Sequence, residues 1–454
     1  MKEPITIEGR WHIHGEDQPA YYGQLFCDPI KGLRLEVKES KAVGLSEMFS
    51  TNAMHAWNDK SLVIQGFDAD NHSVRLFGCC QGNWTEKMGM KTHDFYVHRA
   101  VKGLSSGSWA ELRSRSYKMT FSILDHWVNP SGRVPETSNP STDFEFKIGA
   151  IQAKLGATRK YNGFNGTRSE EKWIKLIFPI EHNVSKVLNE HAWFLALFLS
   201  LLVGDLVGLD EFAFMPEGEA ERSFDERLLI QKPPHGGDGR RDKPEFYMRA
   251  TFKDVAEMLP DLLDRWFSLF RNQDMLQVIK LYSALVHHDL YIGVRFLLLA
   301  QALEAYHTAC GKFTSTRLPD SEFKILMARV RKSLSTDDHA KLKAALSSAN
   351  NKSFYDKLIE VIADAPPQIK GVISNPTDFA TLVRDNRNAY THHVGKRSHS
   401  KRLSESDLAD LAYKAEALLE MLLLRDVGAP IKAFDQIVRE NRTAVSIDLS
   451  DPAT

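Results

Sequence analysis

Arg384-Asp385-Asn386-Arg387-Asn388-Ala389-Tyr390-Thr391-His392-His393 brings two guanidiniums, an amide at Asn388 and two imidazoles into ten consecutive residues. Histidine exchanges a proton near neutral pH, while arginine keeps its charge and offers forked donors to phosphate oxygens, so the set suits phosphoryl chemistry. Lys396, Arg397, His399, Lys401 and Arg402 follow, with no acid between Asp385 and Glu405. That is a local electrostatic footprint for a polyanion. A helix is predicted from Pro376, with Gly395 as its stop. On a straight helix Asn388 and His392 share a face, and Arg387 sits about 140° from His392. Their convergence requires a distorted helix end or a second copy of the motif supplied by a dimer. The competing reading is a surface helix end whose cations complement the macrodipole.

Arg387-Asn388-(three residues)-His392 resembles the R-x4-H signature of HEPN ribonucleases. The earlier helix Arg295-Phe296-Leu297-Leu298-Leu299-Ala300-Gln301-Ala302-Leu303-Glu304-Ala305-Tyr306-His307 is similar to the F-x-x-L-x-x-A-L-E helix of the ApeA-like HEPN branch. Gly9-Arg10-Trp11, Gly23-Gln24-Leu25-Phe26 and Gly32-Leu33-Arg34-Leu35 resemble the β-rich domain that precedes HEPN there. The resemblance implies Arg387 and His392 as the catalytic pair, Asn388 as the polar helper, and Glu304 as the family glutamate. His393 also fits the family spacing, so the choice of imidazole stays open, and Arg384 is a supporting candidate. Lys396, Arg397, Lys401 and Arg402 are the candidate RNA-binding cations. A defence-type, abortive-infection role is implied, with cellular RNA (tRNA among the candidates) as substrate, a homodimer, and a phage-derived trigger sensed by the β-rich half.

At 454 residues the chain exceeds a usual single core. Its 43% hydrophobic and 26% charged composition is that of a folded soluble protein, and a net charge of -1 excludes a wholly basic coat. Cys27, Cys79, Cys80 and Cys310 form no C-x-x-C pair or zinc spacing, so reduced cytosolic thiols are expected, with no cofactor and no metal. Met1 to Thr6 lacks an apolar secretion core. The most apolar run, Ala192 to Val203, is shorter than the roughly 20 residues a bilayer needs. A cytoplasmic protein without membrane contact is therefore expected.

From Ile5 to about Ile180, alternation of period two predicts strands such as 33–38, 61–65, 73–77 and 118–123, separated by turn residues at 28–29, 68–71 and 129–132. A sandwich or curved antiparallel sheet follows, with an exposed loop at 129–142. His12 and His14 share a strand face but lack a third metal ligand. Trp11, Trp57, Trp84, Trp109 and Trp127 could line a groove, though tryptophan is more often core. A helix over 185–203, two strands at 212–215 and 227–231, and a linker at 232–241 complete this half. From Phe252 the period becomes helical, with breaks near His287, Gly311, Thr336, Asn350 and Pro366. His287-His288-Asp289 reads as a helix end, and a final helix is predicted from Ser404 to Arg425, fraying from about Ser446.

The fold class is thus α+β: an antiparallel, sandwich-like β-rich domain over 1–240, then an all-α bundle of the HEPN type over 241–454. Two functions compete with the endoribonuclease. In one, the same cations bind RNA or a partner without cutting; in the other, the β-rich half binds a ligand and the helices only support it.

Overall fold

The computed structural model describes residues 5–13, 21–28, 32–39, 62–87, 90–104, 109–129, 144–162, 167–215, 228–231, 247–335, 338, 349–391 and 403–448. The chain divides into two compact units, Met1–Phe246 with Thr251–Lys253, and Tyr247–Ala250 with Asp254–Thr454.

The first unit is antiparallel throughout. Strands β1 (Ile5–Ile13), β2 (Tyr21–Asp28), β3 (Gly32–Glu39), β4 (Leu62–Asp68), β5 (Ser73–Lys87) and β6 (Met90–Val97) pair in the order β4-β1-β2-β3-β6-β5. Pairing of β4 with β5 closes these six into a barrel, so the expected curved sheet curls until it has no open edge there. The period-two alternation drives this: Leu33, Leu35 and Val37 face inward with Trp11, Leu25, Ile64, Val74, Leu76 and Phe95. Trp11 fits because Gly66 stands opposite it; a Cβ there would lie 2.3 Å from the indole. Beyond β5 the chain adds β7 (Arg99–Lys102), β8 (Arg113–Phe121), β9 (Phe144–Ile148), β10 (Ile151–Asn162), β11 (Thr167–Asn183), β12 (Leu209–Met215) and β13 (Leu228–Gln231), which extend the sheet in the order β5-β7-β13-β12-β8-β11-β10-β9. Trp11 and Trp127 are buried, which removes them from any ligand groove, and Arg99 lies over the Trp109 ring at 4.6 Å.

Helix α1 (Leu124–Val128) is short, and α2 (Val184–Val203) spans the expected helix over 185–203. Val184, Val187 and Leu188 carry its buried face to the start, ahead of the polar Asn189, Glu190 and His191. At 20 residues α2 is, among the described residues, the one helix long and apolar enough to cross a membrane, and 67% of its most apolar window is buried inside the fold.

The second unit comprises α3 (Leu259–Arg271), α4 (Gln273–His287), α5 (Ile292–Ala309), α6 (Asp320–Ser333), α7 (Phe354–Asp364), α8 (Pro376–Thr391), α9 (Glu405–Val427) and α10 (Ile431–Asp448). The breaks fall where the apolar period is interrupted. Helix α5 packs against α4, α7, α8 and α9, and α9 backs α8. Ser404 caps α9 by accepting from the Asp407 amide at 3.2 Å, and Gly428, at φ 83°, ends it. Trp266 is fully buried and meets Phe270 edge to face at 5.2 Å. Helix α10 corrects the expectation that α9 is last: Ala433, Phe434 and Ile437 are its buried apolar residues among the described side chains, too short a stripe to stand out among charged neighbours. Met258, expected on the apolar face of α3, is 37% exposed in a short turn before it.

His14, Trp57, Gly395, His392, His393, Lys396, Arg397, His399, Lys401, Arg402, the loop at 130–142 and the linker at 232–241 lie outside the described residues. The Trp84 side chain does too.

Candidate active site

Helix α8 opens at Pro376, where the Asn375 side chain accepts from the amides of Thr377 at 3.2 Å and Asp378 at 3.3 Å. Phe379, Ala380, Val383, Asn386 and Ala389 bury one stripe of it, which leaves Arg384, Arg387 and Asn388 toward its open side. It approaches α5 closely where Gly293 faces Tyr390; a Cβ on Gly293 would lie 2.9 Å from that ring.

This packing brings Arg387 to Glu304 across two helices. Arg387 Nη2 donates to Glu304 Oε2 at 2.7 Å, and the other carboxylate oxygen accepts from Lys357 Nζ at 3.1 Å. The guanidinium lies over the Phe354 ring, 4.7 Å from its centroid, a cation–π contact that fixes its plane. Phe354 and Lys357 both come from the start of α7, where Ser353 and Asp356 form a reciprocal capping box. Arg387 is thus tied to two other helices and is not among the last-turn residues of α8, which include no basic side chain. This geometry differs from cations that merely complement a helix dipole.

Arg384 turns elsewhere, pairing with Asp385 at 2.7 Å and lying over the Tyr355 ring at 5.6 Å. Asn388 is exposed. The sequence reading missed Asn386, which is 1% exposed, donates to the Leu382 carbonyl at 3.0 Å and accepts from the Leu403 amide at 3.1 Å. That second bond holds the base of α9 against α8 across the histidine- and lysine-bearing segment between them. Its signal was weak: an amide on the buried stripe, one residue before the more conspicuous arginine. Lys357 and Phe354, some thirty positions upstream of Arg387, carry no motif that pointed to them.

Among the described residues one group could hold a metal ion: Asp68, Asp70 and His72, at the turn between β4 and β5. Asp68 there already accepts from Lys102 Nζ at 2.9 Å and from the amides of Asp70 and His72, which is the bonding of a tight turn.

No curated protein and no solved structure matches the chain. Two family models do, one described as ApeA N-terminal domain 1 over residues 6–266 and one as Apea-like HEPN over residues 297–431. The first covers more than half of the chain and takes in the barrel and its sheet extension; the second takes in Glu304, Lys357 and Arg387. With a β-rich half ahead of a helical half, the chain belongs to the ApeA-like HEPN family, whose HEPN module is of the defence type.

Proposed function

We propose that the helical half is a metal-independent endoribonuclease that cuts cellular RNA, tRNA being one candidate, in a defence response of the abortive-infection kind. The observation that carries this reading is Arg387, held in a fixed plane by Phe354 and Glu304 while 33% exposed, five positions ahead of His392. A pre-positioned guanidinium stabilises the charge that builds on a phosphodiester in the transition state, a contribution of about 10²- to 10³-fold. His392, or His393 in its place, takes the proton of the ribose 2'-hydroxyl and returns one to the leaving oxygen, worth about 10²- to 10⁴-fold. The nucleophile is already part of the substrate, so a metal hydroxide is not needed. The donor set supports this, since Glu304 is held by two cations and Asp385 by Arg384. Asn388 orients the imidazole or RNA, and Lys396, Arg397, Lys401 and Arg402 bind phosphates along the strand.

The catalytic unit is a homodimer in this reading, with facing α8 helices bringing Arg387 of one copy toward His392 of the other. The β-rich half senses a phage-derived trigger. The test is to express the wild type beside His392→Ala and Arg387→Ala and sequence RNA ends. New 5'-hydroxyl ends opposite 2',3'-cyclic phosphates, formed in excess chelator and only where the cut-site sugar is ribose, are expected from the wild type alone. Ends bearing 5'-phosphate, or cleavage restored only by added magnesium, would refute the mechanism. A second reading, a module that binds RNA without cutting, draws on Glu304 neutralising Arg387; wild-type binding without new RNA ends would favour it.

A further inference from the structure

Glu304 is gripped on both oxygens, by Lys357 Nζ at 3.1 Å and by Arg387 Nη2 at 2.7 Å. A carboxylate and a phosphodiester each offer two oxygens that share one negative charge. Two cations converging on the first are therefore placed to converge on the second. All three side chains reach solvent, at 33% exposure for Arg387, 28% for Glu304 and 18% for Lys357, so an incoming anion can compete without unfolding anything. Ion pairs with water beside them are weak, and an RNA strand can displace them. When the carboxylate leaves, the Phe354 ring on α7 still holds the guanidinium.

We propose that Lys357 and Arg387 together form a phosphodiester slot, and that Glu304 is the internal anion filling it until RNA displaces its carboxylate. This deepens the ribonuclease reading and rests on it for the identity of the ligand. It adds Lys357 as a substrate-contacting cation and gives Glu304 the role of competitor.

The experiment uses the full chain and a single-stranded 2'-O-methyl RNA oligonucleotide, which keeps the phosphates but lacks the nucleophile. Binding is titrated over a range of salt, with unmodified RNA of the same sequence followed in parallel for cleavage. Lys357→Met should reduce the slope of log affinity against log salt by about 0.7, one single-strand phosphate contact, and Lys357→Arg should restore it. Glu304→Gln, which keeps shape but removes the charge, should bind about threefold to tenfold tighter than wild type. An unchanged slope in Lys357→Met, no tightening in Glu304→Gln, or no binding by any variant overturns the slot. Both shifts without cleavage of the unmodified RNA keep the slot and remove the ribonuclease reading; cleavage without either shift does the reverse.

Discussion

Arg249 and Arg387 each hold a glutamate in the helical half, in opposite surroundings. Arg249 is 7% exposed, donates to Glu420 Oε2 at 2.8 Å and Glu440 Oε2 at 3.0 Å, and shares Glu420 with the Tyr282 hydroxyl at 3.1 Å. Burial disfavours its charge, but Glu420 and Glu440 more than offset that and push its pKa further up; burial and Glu420 likewise push Tyr282 up. Arg249 and Glu420, with side chains 8% exposed, have little access to water once their pair is broken. The Arg387 cluster has the same chemistry with solvent beside it. Depth alone separates a pair that fastens helices from one that can change partners.

The sharpest way to break this comparison is to remove one member of each cluster. Arg387→Ala and His392→Ala should each cost about 10³-fold or more in RNA cleavage, and Arg387→Ala should barely move the thermal midpoint, since its side chain is 33% exposed. Normal cleavage in either variant would end the assignment of that residue. Glu420→Ala should destabilise the helical half by about 3–5 kcal/mol, because it breaks a buried ion pair and leaves Arg249 with Glu440 alone. Urea unfolding would measure this, and a loss below about 1 kcal/mol would mean that water reaches the cluster. Phe354→Leu keeps most of the apolar volume but removes the ring face under Arg387, so kcat should fall about threefold to tenfold with little change in KM. A change in KM alone would assign the ring to binding.

Smaller effects test the supports. Ser404→Ala should cost about 1 kcal/mol through the lost cap of α9, read in the same urea titration. The smallest concerns Asp356 at the start of α7, where hydrogen bonds from Arg317, and then Ser353, hold its carboxyl below the usual carboxylate range. A depressed folded pKa contributes stability above the unfolded value of about 3.9, lost as pH falls through the folded one. Asp356→Asn should therefore flatten the acid limb of stability below about pH 4, and an unchanged limb would show that this carboxylate does not titrate with folding.

What could be read from the chain alone was local. Pro376, the period of Phe379, Ala380 and Val383, and the cap at Ser404 mark α8 and α9 because each acts within a few residues. Arg387 stood out through its own charge and spacing. Barrel closure depends on β4 meeting both β1 and β5, and no local pattern encodes that distant register. Phe354 met Arg387, and Lys357 met Glu304, only when α7, α5 and α8 packed together, and a lysine on an amphipathic helix looks like any solvated lysine until then.

Trp266 offers an optical handle on the helical unit. Of the chain's tryptophans it alone falls within residues 254–454, and it is fully buried against Phe270. Replacing it with phenylalanine would leave an emission spectrum that reports only on the β-rich unit. Subtracting that signal from the wild type would follow the melting of the helical unit through one indole, with no label attached. If the two units unfold at different temperatures, the difference spectrum and the residual spectrum would shift at different points on one heating scan.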